Sequence, residues 1–139
     1  MKKIILILLL VPLLFTSDIK TEQKIYGLII HALLPQKTEI KVWTDSQSPK
    51  NIFCLIKGVK CVKNPENADF LLLNKKKNIQ TKGIKFATNI QLLEAEKDTI
   101  VGGFFWQKGR PNILFLRKNL QKHNITLPES MQEYIEDEL

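Results

Sequence analysis

Few residues of this 139-residue chain have the type and spacing to do chemistry. His31 and His123 are its two histidines, the candidate bases for a nucleophilic triad. Each falls in an amphipathic segment with no flanking motif, and no Gly-x-Ser-x-Gly occurs. Catalytic metals need converging His, Cys or carboxylate ligands, and no set with metal-site spacing stands out. A phosphate cradle needs a glycine-rich turn ahead of a helix, whereas Gly102-Gly103 lies inside an apolar run. The reading assigns no catalytic residue, no metal and no cofactor, and the expectation is a protein that is not an enzyme. Cys54 and Cys61 bracket Gly58 and read as a disulfide, against a competing reading as buried free thiols. Closing so short a loop would stabilise the fold by about 2–3 kcal/mol. Trp106 beside Lys108 and Arg110 is the partner-contact candidate, because aromatics and arginine dominate interface hot spots. The competing reading makes Trp106 a cap on the core, and Trp43 carries the same ambiguity.

The element that must position these groups is Asp98–Leu116, two apolar runs joined at Gln107–Arg110. That pattern predicts a β-hairpin with arms Thr99–Trp106 and Asn112–Leu116. Neither arm alternates, so both belong in the middle of a sheet, covered on each face. Gly102-Gly103 predicts a bulge or a bend beneath a packed helix. The other reading is a flat place where another chain packs.

Around this ribbon the chain alternates helices and strands. Thr21–Leu34 predicts a helix with Ile25, Leu28, Ile29, Ala32 and Leu33 inward, and Tyr26 and Gly27 on the opposite side. His31 lies beside that apolar face, and Pro35 ends the helix. Glu39–Thr44 is a strand. Ser48-Pro49 reads as a helix start for Pro49–Lys57, a short helix burying Ile52, Phe53, Leu55 and Ile56, with Gly58 in the left-handed position after it. Val59–Val62 and Phe70–Leu73 are strands, the second fully apolar and therefore central. The Lys75–Asn78 run is a solvated loop. Ile84–Ala87 is a strand and Asn89–Lys97 a helix. Arg117–His123 is helical with Asn124 left-handed after it. Pro128–Glu138 predicts a last helix docked by Met131, Tyr134 and Ile135, its acidic end opposed by the helix dipole. The whole reads as one small α/β domain, with a mixed, mostly parallel sheet, a C-terminal antiparallel hairpin and flanking helices.

The N-terminus reads as a secretory signal over residues 1–17, leaving residues 18–139 as a single domain. Lys2 and Lys3 precede the twelve-residue apolar core Ile4–Phe15, and Thr16-Ser17 leads to Asp18. A membrane anchor needs about 20 apolar residues, so cleavage is the expectation. Losing Lys2 and Lys3 takes the net charge from +7 to +5. That suits an acidic partner or an anionic membrane surface, and export excludes nucleic acid as the expected partner. The periplasm is oxidising, which is the setting for a Cys54–Cys61 bridge.

From Thr21 onward the chain resembles the YfiR-like periplasmic proteins. The likeness rests on the opening helix, the strand Ile40–Trp43 and the helix–Gly58–strand unit. It continues through Gly102-Gly103, across Lys108-Gly109, into Phe115-Leu116-Arg117 with Asn119-Leu120, and then Asn124-Ile125-Thr126-Leu127. The resemblance implies a non-enzymatic regulator that docks on the periplasmic part of a membrane diguanylate cyclase and changes its cyclic-di-GMP output. An alternative reading is a solute-binding module resembling one lobe of a periplasmic binding protein. One lobe lacks a full cleft, so that reading requires a homodimer or a partner.

Overall fold

The computed structural model describes residues 20–45 and 53–139. Residues 1–17, read as the signal, and the Ser48-Pro49 helix start lie outside the described residues. The predicted Pro49–Lys57 helix does not extend over 54–57, which form a turn closed by Cys54–Cys61, and Leu55 is exposed rather than buried. The chain opens with helix α1 over 20–33. Strands β1 (Ile40–Thr44), β2 (Val59–Cys61), β3 (Phe70–Leu73) and β4 (Ile84–Ala87) follow. Then come α2 (Ile90–Ala95), β5 (Gly102–Gln107), β6 (Arg110–Leu116), α3 (Arg117–Lys122) and β7 (Ile135–Glu136). All seven strands join one sheet in the order β2-β1-β3-β4-β5-β6-β7. The pairs from β2 to β5 are parallel, β5–β6 is antiparallel and β6–β7 is parallel again. The predicted mixed sheet with its antiparallel hairpin is therefore present.

The fully apolar β3 runs through the centre with all four residues buried, the environment that a non-alternating strand demands. Helix α1 covers one face of the sheet together with Phe53, Ile56, Leu120 and Met131. The other face is closed by α2 through Leu92 and Leu93, against Leu71, Ala87 and Phe105. Asn89 caps α2, its Oδ1 accepting from the Leu92 N–H at 2.8 Å.

Three further expectations are corrected. First, the buried face of α1 is Tyr26, Ile29, Ile30 and Leu33, while Leu28 is 56% exposed. Tyr26 is drawn inward by ring contacts with Phe53 at 4.4 Å and Phe104 at 4.9 Å, which turn the helix away from the predicted face. Second, Gly102-Gly103 makes no bulge, since the register runs unbroken from Gly102↔Phe115 to Gln107↔Arg110. Gly102 lies between Phe86 on β4 and Phe115 on β6, and the two rings close to 5.9 Å over it. A Cβ there would overlap the Leu114 carbonyl oxygen and sit 2.9 Å from Phe86 Cε1.

Third, Pro128–Glu138 is not an α-helix. It is a 3-10 segment, Glu129–Tyr134, followed by β7. The outer edge of β6 offers Ile135 and Glu136 backbone partners opposite Phe115 and Leu116. An extended end also frees Glu136–Glu138 from the unfavourable end of a helix dipole, and Asp137 accepts from Arg117 Nε at 2.6 Å.

Candidate functional site

The hairpin tip is built by a two-residue turn, Lys108-Gly109, both at positive φ (52° and 75°). That conformation matches the strand twist and favours Asn-Gly, so a lysine at the first position is strained. Trp106 pairs with Pro111 just below the turn and is 41% exposed. Its ring meets Phe104 edge-on at 6.0 Å. Its indole Nε1 donates to Glu22 Oε1 at 3.0 Å, tying the tip to α1. The indole thus has one edge on the core and one in solvent. Lys108 and Arg110 are exposed beside it. Neither forms an ion pair among the described residues.

Trp43 is elsewhere. It belongs to the α2 face of the sheet, opposite the face that carries Trp106. Lys77 Nζ stands 5.4 Å from its ring centroid, a cation–π contact. The structure brings Trp106, Lys108 and Arg110 together at one tip and leaves Trp43 out. Trp43 instead stands near the carboxyl ends of β1 and β3, where the strand order reverses. In open α/β sheets ligands bind outside such a reversal. Asp45 crosses this point, its Oδ1 accepting from Asn74 N–H at 2.8 Å and its Oδ2 from Lys75 N–H at 3.0 Å. Thr88 Oγ1 donates to Asn74 Oδ1 at 2.8 Å.

The Cys54–Cys61 disulfide is formed, joining the turn after Phe53 to β2. Gly58 reverses the chain between the cysteines at φ 81°, as read from sequence. His31 secures the same turn, its Nε2 donating to the Lys57 carbonyl at 3.0 Å. It is a packing hook, with no role that its contacts indicate beyond that. His123 lies far from it along the chain, at the end of α3 in a cavity of about 920 Å³. That cavity also holds the Lys37–Asp69 ion pair. Burial, then the neighbouring Lys122 charge, holds the His123 pKa below its ordinary value. The two histidines line different cavities. Among the described residues no group of three or more His, Cys, Asp or Glu is placed to hold a metal.

One important residue carried no signal in the sequence. Asn119, in α3, is 1% exposed. Its Nδ2 donates to the Lys97 and Ile100 carbonyls, both at 2.7 Å, fastening the loop before β5. Among the described residues Asn119 Oδ1 has no hydrogen-bond partner. No family model, curated protein or solved structure matches the chain. Among the described residues no helix is long and apolar enough to cross a membrane.

Proposed function

We propose that this chain is an exported, non-enzymatic binding protein that docks through its β5–β6 tip on the extracytoplasmic part of a membrane signalling protein, such as a diguanylate cyclase. The observation that carries this reading is the combination at the tip. Trp106 is exposed yet held in one orientation by Glu22, beside two cations without ion-pair partners among the described residues. A pre-oriented aromatic flanked by cations loses little entropy on binding, which is the chemistry of a hot spot. The strained Lys108 supports the same reading. A local rule broken with no gain to the fold is a mark of a functional position. The disulfide supports residence in an oxidising compartment, the periplasm in this reading, reached by way of the signal at residues 1–17. Regulation would follow from binding one state of the partner better than the other.

The test is cross-linking of the tagged full chain in membranes, with Trp106→Ala/Arg110→Ala as the comparison. The expected result is recovery of a membrane signalling protein, with association at least ~10-fold weaker for the variant. Recovery of no such protein, or equal recovery by the variant, would overturn it. A second reading, a solute-binding module, is favoured by the reversal of strand order between β1 and β3. Its mark would be a solute that raises the melting temperature and whose effect Trp43→Ala abolishes.

A further inference from the structure

A groove runs between α1 and the disulfide-closed turn. On α1 its wall is Lys20, Lys24, Gly27 and His31, spaced four, three and four apart and therefore one stripe of the helix. Across from them stand Leu55, Ile56 and Lys57. The groove holds about 750 Å³, within the range of ligand-binding clefts, and apolar surface prevails in it.

Three observations together point to an occupant. Leu55 is 76% exposed, the most exposed of the large apolar side chains among the described residues, on a turn closed by Cys54–Cys61. Among the described residues, Lys20, Lys24 and Lys57 rim the groove with no ion-pair partner, and no carboxylate lines it. Lys37, also on the rim, is the one lysine there that is paired, with Asp69. Gly27 is the third observation. Glycine inside a helix costs about 1 kcal/mol relative to alanine. Nothing in the fold demands it, because a Cβ at Gly27 would meet only Ile56 Cγ2, at an ordinary 3.5 Å. What its missing side chain preserves is the open floor of the groove.

We infer that this groove binds an acidic peptide segment of a partner protein, one that seats an apolar side chain over Gly27 and against Leu55 and Ile56 while its carboxylates meet Lys20, Lys24 and Lys57. The inference deepens the docking reading by adding a second contact and stating its chemistry. The recessed floor at Gly27 and Ile56 favours a segment that can insert a side chain over a bilayer, which would reach only Leu55 and the lysines of the rim. A second copy of this chain is a poorer occupant, since the chain is itself basic, with a net charge of +7, and Asp137 of its acidic end is already paired with Arg117.

The experiment uses the full mature chain, isotope-labelled for NMR, titrated with a Glu/Asp-rich peptide carrying a central Leu–Phe anchor. A Lys-rich peptide with the same anchor and phosphatidylglycerol vesicles serve as comparison probes. The expected result is shifts confined to Gly27, His31 and Leu55–Gly58 with the acidic peptide, weakened by salt and absent with the basic one. Lys24→Glu/Lys57→Glu, both surface changes, should weaken binding at least ~10-fold at unchanged melting temperature. Gly27→Leu should abolish it, while Gly27→Ala, which the helix accommodates, should weaken it less. The groove assignment is overturned if the acidic peptide does not bind or shifts only the hairpin tip. It is overturned equally if the vesicles alone bind, or if the chain self-associates through these residues instead. Binding that survives Trp106→Ala/Arg110→Ala but not the lysine reversal separates this inference from the tip reading.

Discussion

Gly102 shows how one residue sets the packing of three strands. The Phe86 and Phe115 rings meet over a position that has no side chain, on the strand between their own. Gly102→Ala must displace both the β6 backbone at Leu114 and the Phe86 ring, and overpacking of this kind costs about 1–3 kcal/mol. Urea unfolding should show that loss, with a smaller one for Gly103→Ala, whose nearest atom would be the Ala87 carbonyl oxygen at 3.2 Å. Tyr26 makes a second prediction at this scale. Its burial, then the Glu22 charge, raises the phenol pKa well above its ordinary value. The folded protein therefore keeps that proton where the unfolded chain releases it. The contribution to stability is whole below pH ~10 and is lost as pH rises beyond that value. Tyr26→Phe should flatten the alkaline limb of a plot of urea midpoint against pH, and limbs of equal slope would count against the assignment. The double glycine was legible as a special position but was read as a bulge or a bend, because the rings that fill the space come from β4 and β6. Asn119 was illegible for the same reason, since its two carbonyl partners lie 19 and 22 residues away.

Elements were legible where the pattern itself decides burial. The uninterrupted apolar run of β3 predicts a central strand, and it is one. The two arms of the β5–β6 hairpin and the left-handed Gly58 follow equally from local chemistry. But β6 is not the fully covered central strand that its apolar run predicts: it lies beside the short β7, and its half nearer the turn is exposed or half-buried. Two elements failed where a distant partner decided the outcome. The inward face of α1 was settled by Phe53 and Phe104 rather than by the helix's own aliphatic residues. The terminal segment had helical spacing at Met131, Tyr134 and Ile135, yet the free edge of β6 took Ile135 and Glu136 as a strand. Trp43 and Trp106 looked equivalent in sequence, and only the register of their strands sends them to opposite faces. The hairpin turn carries the prediction at this scale. Lys108→Asn replaces a strained residue with one that accepts positive φ, and should raise stability by about 0.5–1 kcal/mol. If Lys108 serves docking, the same variant should bind the membrane partner less well. Higher stability with undiminished association would remove Lys108 from the interface.

At the scale of the molecule, the sheet ends unequally. One edge is β6 with its short cover β7, and the other is β2, three residues long and held to β1 alone. A short edge strand with one neighbour has little to keep it in register, and the Cys54–Cys61 bridge holds it to the turn that also supports the acidic-segment groove. Replacing both cysteines by serine removes a loop constraint worth about 2–3 kcal/mol, a large share of the 5–15 kcal/mol typical of a domain. The loss should be regional. The amides of Ile40, bonded to Gly58 O, and Val62, bonded to Val42 O, depend on the β2 edge. Ile84, bonded to Asp69 O, lies two strands further in. Hydrogen exchange of the double serine variant should accelerate first at Ile40 and Val62 while Ile84 keeps its protection until global unfolding. Acceleration of all three together would mean that the bridge holds the whole sheet rather than its edge. Unchanged exchange at Ile40 and Val62 would mean that β1–β2 pairing and the His31 hook hold the turn without it. In the regional outcome, a reducing environment would loosen the groove while leaving the hairpin tip intact, so that the two proposed contacts would differ in their sensitivity to redox conditions.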